Sequence, residues 1–223
     1  MNQIAPAIFP LLILAVVIIG GIYSYMAAQK RREGLFELAT RLNLNFAPGK
    51  DRLLPERFFF LKQFTEGDDR YATNVISGNY QQGEILAFDY HYGTGSGKSR
   101  QEHNLSFFIL ILRGVAFPQL TIRRDGFLDR VAETFGFPDI KFESAEFSKA
   151  FCVRSPDKKF AYDVCNPAMM EYLLANRDLT IEVDVYAIAL VFNTRLAVEL
   201  FEPNLQRLVE IRTRLPQYLF TAA

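Results

Sequence analysis

Residues with reactive side chains are scarce in this sequence. Its 223 residues include only two histidines and two cysteines, and the H-E-x-x-H, G-x-S-x-G and C-x-x-C motifs are absent. These absences exclude the usual zinc-protease, serine-hydrolase and dithiol signatures. Cys152 and Cys165 are isolated, which fits a reducing compartment, and Cys165 is expected to be a buried structural thiol. No catalytic residue and no cofactor is predicted from these motifs.

Charge is missing from the beginning of the chain. No charged side chain occurs before Lys30, and the stretch from Ile4 to Ala28 is almost wholly apolar. As a helix it would measure about 37 Å, more than the roughly 30 Å of a bilayer's hydrocarbon core. Pro6 and Pro10 lie near its start, where a missing N–H matters least. Residues 1–29 are therefore predicted to form one transmembrane helix with a short tail, in contact with the lipid bilayer through residues 4–28.

The alternative for this stretch is a secretory signal peptide. A signal peptide has a basic first region and a shorter apolar core, and this sequence has neither, although Met26-Ala27-Ala28 resembles a cleavage site. Lys30, Arg31 and Arg32 follow the apolar stretch directly, and no basic residue precedes it. The positive-inside rule then predicts a single-pass inner-membrane protein whose C-terminal domain is cytoplasmic. These three residues are the predicted topology signal and membrane-surface contact.

Residues 30–223 are long enough for one cytosolic domain, and a division into two subdomains, about 44–137 and 138–223, stays open. All 25 basic and all 25 acidic side chains lie in this part, so its net charge is zero. Nucleic-acid-binding domains carry a basic excess, so no nucleic-acid partner is predicted.

Apolar periodicity and turn residues predict an α+β fold, an antiparallel sheet with packed helices. The apolar helix is expected to continue to about Leu42, and Asn43 to Arg70 is expected to be a loop with a short apolar turn at Phe58-Phe59-Phe60-Leu61. A final helix from Pro203 to Pro216 is also expected. Strands are predicted near 72–80, 84–92, 104–113, 119–124, 151–153, 180–186 and 187–193, and other helices near 125–135 and from Ser155 to Asn176, with an interruption at Asn166-Pro167.

The segment YGTGSGKSR, residues 92–100, ends like a phosphate-binding loop. A P-loop needs G-x-x-x-x-G-K-[ST], but the position of the first glycine is occupied by Tyr92. The segment also lies between two predicted strands, whereas a P-loop leads into a helix. We therefore predict a weakly ordered hairpin tip with Lys98 exposed, and no nucleotide binding.

The two histidines are the only nameable candidates for a metal site. A hairpin centred near Gly97 would place His91 almost opposite His103, and Asp89 would share the face of His91. Two imidazoles and a carboxylate can hold a metal ion. A shift of one residue in strand register would place the histidines on opposite faces, and polar residues at the wet end of a hairpin are the alternative.

The second half of the chain resembles a known family. EFSKAFCVRSPDKKFAYDVCNPAMMEYLLA, residues 146–175, and the later ELFEPNL, residues 199–205, are similar to stretches of an uncharacterised bacterial family of membrane-anchored domains, domain-of-unknown-function family 3137. Tyr162 departs from that pattern, in which a polar residue is expected. The resemblance implies a bacterial, membrane-tethered cytosolic α+β domain, and it implies no catalytic residue.

Two classes of function follow from these observations. The first is a membrane-tethered, non-enzymatic module that binds another membrane or cytosolic protein, or lipid head groups, because a tether raises the effective concentration of the domain towards membrane partners. The second is a membrane-associated enzyme or metal-binding protein that uses Asp89, His91 and His103.

Overall fold

The computed structural model describes residues 5–81, 83–124 and 137–220. Within these ranges the helices are α1 Ala5–Arg41, α2 Leu53–Arg57, α3 Ala145–Ala150, α4 Lys158–Val164, α5 Pro167–Ala175 and α6 Phe201–Arg214. The strands are β1 Asn45–Ala47, β2 Asp68–Tyr80, β3 Gly83–Thr94, β4 Gln101–Ile111, β5 Phe117–Arg124, β6 Phe151–Arg154, β7 Ile181–Val185 and β8 Ala187–Phe192. The predicted helix near 125–135 lies outside the described residues.

The strands form one antiparallel sheet in the order β1-β2-β3-β4-β8-β7-β5-β6. Strand β8, which lies in the range 138–223, pairs with β4 of the range 44–137. Strand β5, which lies in the range 44–137, pairs with both β6 and β7 of the range 138–223. The two ranges that the sequence left open as subdomains, about 44–137 and 138–223, therefore share one sheet. The predicted α+β class, with helices packed on an antiparallel sheet, is confirmed.

The two faces of the sheet bury different sets of side chains, because successive residues of a strand point to opposite sides. On β3, Ile85 and Ala87 pack under the helices, whereas Leu86, Phe88 and Tyr90 belong to a second cluster on the other face. The last turns of α1, together with α3 to α6, cover the first face.

The segment between β1 and β2 covers the second face, where the sequence predicted a loop with a short apolar turn at 58–61 but no helix. Helix α2 and a 3-10 turn at Lys62–Thr65 direct Phe58 and Phe64 inward. The ring of Phe64 stacks on Phe107 at 4.6 Å and meets Tyr90 edge-on at 4.9 Å. Aromatic packing across the sheet thus orders a stretch with little local propensity.

The helices of the second half begin where capping residues occur. Asp157 accepts a hydrogen bond from the backbone N–H of Phe160 at 3.0 Å, and Asn166 accepts one from Met169 at 3.1 Å. The predicted helix start at Ser155-Pro156-Asp157 and the interruption at Asn166-Pro167 are confirmed, since each cap opens its own helix. Helix α3 was not predicted, and α6 begins at Phe201, two residues before Pro203.

We expect Phe64→Ala to lower the free energy of unfolding by about 3–5 kcal/mol, because the ring is wholly buried among other aromatic rings. Phe59→Ala is the matched control, since Phe59 lies five residues away and its side chain is half exposed. The control should cost about 1 kcal/mol or less. Urea unfolding of the full chain in detergent measures both, and equal losses would contradict the assigned second layer.

Candidate functional site

Helix α1 passes without interruption from an exposed apolar part into the core of the domain. Every side chain described from Ile13 to Tyr25 is exposed, and Leu35, Leu38 and Ala39 are buried under the sheet. Among the described residues, α1 is the one helix long and apolar enough to cross a membrane, by length and composition. The junction between its two parts is the candidate functional site.

Arg31 makes the central contact of this junction. Its Nε lies 2.8 Å from Oδ2 of Asp89 and its Nη2 lies 2.6 Å from Oδ1, so the guanidinium donates two parallel hydrogen bonds to the carboxylate. The third nitrogen, Nη1, donates to the backbone carbonyl of Leu196 at 2.7 Å. The Asp89 side chain is wholly buried and that of Arg31 is 14% exposed. Paired, bidentate geometry of this kind is the strong form of an Arg–carboxylate contact.

A bulge in β2 provides a second donor to Asp89. The register shifts by one residue between Thr73 and Ile76, and Asn74 within the bulge has a φ of 54°. Asparagine tolerates this left-handed conformation, and the bulge turns its side chain toward β3. The Nδ2 of Asn74 then donates to Oδ2 of Asp89 at 2.9 Å. The bulge therefore has a specific role at the junction.

The segment 193–200 closes over the junction from the C-terminal half. The backbone N–H of Leu196 donates to Oγ of Ser106 at 3.0 Å, and the guanidinium of Arg195 lies 3.7 Å from the Asp89 carboxylate. Val198 packs against α1 at Gly34, where an added Cβ would lie 3.3 Å from its Cγ1. We call the contacts of Arg31, Asp89, Asn74, Ser106 and Leu196 the clasp.

The three basic residues after the apolar stretch occupy different environments. Arg31 is turned into the clasp, whereas Lys30 and Arg32 are exposed on α1. Arg31 thus has a structural role that the sequence did not indicate. Lys30 and Arg32 are the residues of the predicted topology signal whose charges face outward.

The proposed metal ligands do not converge. His91 pairs with Asn104 and Tyr92 pairs with His103, so the two histidines project from opposite faces of the sheet. His91 stacks on Tyr71 and lies 3.1 Å from Glu102, whereas His103 stacks on Tyr92. Asp89 is held by Arg31. Among the described residues, no group of three histidine, cysteine or acidic side chains is arranged to hold a metal ion.

The glycine-rich loop is the tip of the β3–β4 hairpin, as predicted. Lys98 is exposed, a single 3-10 turn covers Gly97–Ser99, and β4 follows from Gln101. No helix follows the loop, so its geometry is not that of a phosphate-binding loop. The N–H groups of Ser99 and Arg100 and the Ser99 hydroxyl donate hydrogen bonds to backbone carbonyls within the tip, and the expectation of weak order stays a prediction.

Two further polar groups are buried away from the clasp. Glu182 lies beneath the 3-10 turn on the second face, where it accepts a long, 3.5 Å hydrogen bond from the backbone N–H of Gln63. Burial raises the pKa of Glu182 to about 7, and Lys62 nearby offsets part of this shift. Cys165 is buried as predicted, and burial raises the pKa of its thiol far above the usual range, which disfavours the nucleophilic thiolate.

The clasp residues that the sequence analysis missed are Asn74, Ser106 and Leu196. Their partners lie 15 to 165 positions away in the chain, so no local motif marks them. The one available signal was Asp89 itself, a carboxylate between Phe88 and Tyr90 in the middle of a predicted strand.

The fold is similar to that of a solved structure. The crystal structure of the mycobacterial trehalose monomycolate transport factor A, TtfA, superposes with a TM-score of 0.60 over 85% of this chain and 96% of that chain, at 11% sequence identity. At this identity the likeness shows the fold alone. No protein-family model matches the chain, and no curated protein matches it. The resemblance to family 3137 therefore stays a prediction.

Asp89→Asn should destabilise the protein strongly. Removing one charge of a buried pair leaves the other unpaired, at a cost of about 3–5 kcal/mol. Glu202→Gln is the matched control. It removes an exposed ion pair that also ties α1 to the rest of the domain, between Arg41 of α1 and Glu202 of α6, and it should change stability little. Urea unfolding in detergent compares the two variants, and a small loss for Asp89→Asn would contradict the assigned role of the clasp.

Glu182→Gln should stabilise the protein at alkaline pH. The folded-state pKa of Glu182, about 7, exceeds the reference value of 4.5, so the folded state binds the proton more tightly. Its contribution to stability is complete below about pH 4.5 and is lost as the pH rises through 7. The advantage of the variant should therefore grow by about 2.5 kcal/mol between pH 5 and pH 8.

Unfolding curves at the two pH values test this expectation. Glu171→Gln, on an exposed position of α5, serves as the control and should show no such gain. An advantage of Glu182→Gln that stays constant from pH 5 to pH 8 would show that the carboxyl is not held protonated by burial.

Proposed function

We propose that this protein is a non-enzymatic accessory factor of a membrane process, anchored as a single-pass protein of the inner membrane with its domain in the cytoplasm. The observation that carries the proposal is the continuity of α1. Its exposed apolar part extends away from the domain, and its last turns are built into the core. One helix thus serves both as the anchor and as part of the fold.

The clasp makes this anchor stiff. A flexible linker would let a tethered domain sample many orientations. Here the chain remains helical from Ala5 to Arg41, and Arg31 is fixed by Asp89 and Leu196 within about one turn of the last exposed apolar residues. An enzyme acting on a soluble substrate has no need of a fixed orientation. A factor that docks on another membrane protein gains from it, because less orientational freedom is lost on binding.

The shared fold with a transport factor supports an accessory role at the membrane. We propose that the partner is an integral membrane protein engaged in transport, and that the domain holds or regulates it from the cytoplasmic side. The candidates for catalysis, Asp89, His91 and His103, share no site in this structure, and we build no reaction on them.

The need for a stiff anchor can be tested by loosening it. A Gly-Ser linker inserted between Gln29 and Lys30 keeps the span and the domain but uncouples them. We expect membrane proteins that co-purify with the full chain from detergent extracts to be lost from this variant. The same linker added after Ala223 is the control and should keep them. Undiminished co-purification with the uncoupled variant would contradict the proposal.

Topology gives an independent test. Green fluorescent protein fused after Ala223 should fluoresce, and alkaline phosphatase at the same position should be inactive, because the basic residues after α1 stay on the cytoplasmic side. Changing Lys30 and Arg32 to glutamine should weaken this preference while the clasp is left intact. An active phosphatase fusion to the unchanged protein would overturn the proposed orientation.

A further inference from the structure

The β3–β4 hairpin points in the same direction as the apolar part of α1. At the end of α1, Leu44 contacts Gly78, which pairs with Ile85 near the start of β3. Thirteen positions earlier, Arg31 contacts Asp89, farther along β3. Moving along α1 toward its N-terminus therefore means moving along β3 toward Thr94 and the hairpin tip.

Simple lengths place the tip at the level of the membrane surface. From Arg31 back to Ala28, where the apolar stretch ends, the helix rises only about 4.5 Å. From Asp89 to Thr94 the strand advances about 16 Å, and the turn extends farther. The polar head-group layer is roughly 5–7 Å thick on each side of a bilayer. The strand advance exceeds the helix rise, so the tip reaches at least the depth of that layer, even with divergence between helix and strand, if α1 spans the membrane.

The chemistry of the tip suits head groups and not hydrocarbon. Residues 93–100 contain no apolar side chain and carry Lys98 and Arg100. Arg100 is held by Asp68 and Glu102, at 2.8 and 2.7 Å. Lys98 has no carboxylate partner among the described residues and is exposed. The backbone at Gly67 packs closely against Gly93 at this end of the sheet. Its φ is 62°, and an added Cβ would lie 2.2 Å from the carbonyl oxygen of Gly93.

Other cations flank the same end of the sheet. Lys50 lies over the ring of Tyr71 at 4.1 Å, and Tyr71 pairs with His91, two residues before Gly93. Lys30 and Arg32, which flank Arg31 of the clasp on α1, are also exposed. Within the described ranges, none of these three has a carboxylate partner. Unpaired cations around the exit of an apolar helix match the negative surface of anionic lipids.

We propose that the tip of the β3–β4 hairpin, Gly93–Arg100, is a second membrane contact, in which Lys98 binds the phosphate of an anionic lipid in the bilayer that α1 crosses. This inference rests on the proposed function, since it needs α1 to span. With two contacts at different positions, the domain is held against the membrane and its orientation about α1 is fixed. The GKS sequence would then bind phosphate on a lipid as a point charge, without the cradle of a P-loop.

The absence of tryptophan from the sequence allows a direct test. Ser96→Trp places one fluorophore at the tip, and Arg113→Trp places one beyond the opposite end of β4, where Arg113 is 83% exposed. The full chain is reconstituted in vesicles of phosphatidylglycerol and phosphatidylcholine with a quencher attached to lipid head groups. We expect strong quenching at position 96 and little at position 113.

Lys98→Gln in the Ser96→Trp background tests the proposed ligand. It should raise the fraction of phosphatidylglycerol needed for half-maximal quenching about fivefold, the equivalent of the roughly 1 kcal/mol that one basic residue contributes near an anionic surface. Unchanged quenching after Lys98→Gln would overturn the role of Lys98. Equal quenching at positions 96 and 113 would overturn the contact itself.

Tyr25→Trp separates this inference from the proposed function. If α1 spans the bilayer, brominated acyl chains should quench this tryptophan. Quenching at position 25 without quenching at position 96 would leave the anchored protein intact and reject the hairpin contact. No quenching at position 25 would reject the span, and the hairpin contact with it.

Discussion

The structure depends on the burial of one ion pair at the point where an apolar helix enters a folded domain. Arg31 and Asp89 both lose water, and such burial is unfavourable unless hydrogen bonds replace the lost hydration. Those bonds come from α1, from the bulge at Asn74 and from the backbone of Leu196. Distant parts of the chain must therefore be in place together before the pair is satisfied, which ties the N-terminal helix to the C-terminal half.

The single sheet makes this connection possible. Because β8 lies between β4 and β7, the segment that follows β8 emerges beside β4 and reaches α1 directly. The same arrangement places Phe201, at the start of α6, under the clasp, where the Arg31 guanidinium lies 5.5 Å from its ring centroid. Helix α1 is thus held by the sheet on one side and by the end of the chain on another. The direction of α1 is thereby fixed relative to the whole domain.

The buried and half-buried polar side chains described above make contacts within the fold. Asp89 serves the clasp, His91 and His103 stack on tyrosines, and Glu182 lies under the aromatic layer. Exposed cations, Lys30, Arg32 and Lys98, lie on α1 and on the short polar β3–β4 hairpin instead. This distribution fits a protein that works by being held in one place and orientation.

Local patterns in the sequence determined the apolar helix, the strands of the hairpins and the capped starts at Asp157 and Asn166, because each of these depends on neighbours within a few residues. The tertiary structure alone decided the rest. Arg31 and Asp89 are 58 positions apart. A period of two cannot fix strand register, which is why the sequence left open whether His91 and His103 share a face; they lie on opposite ones. The layer that contains Phe64 likewise has no regular pattern of its own, since it becomes ordered only when the aromatic face of the sheet is present beneath it.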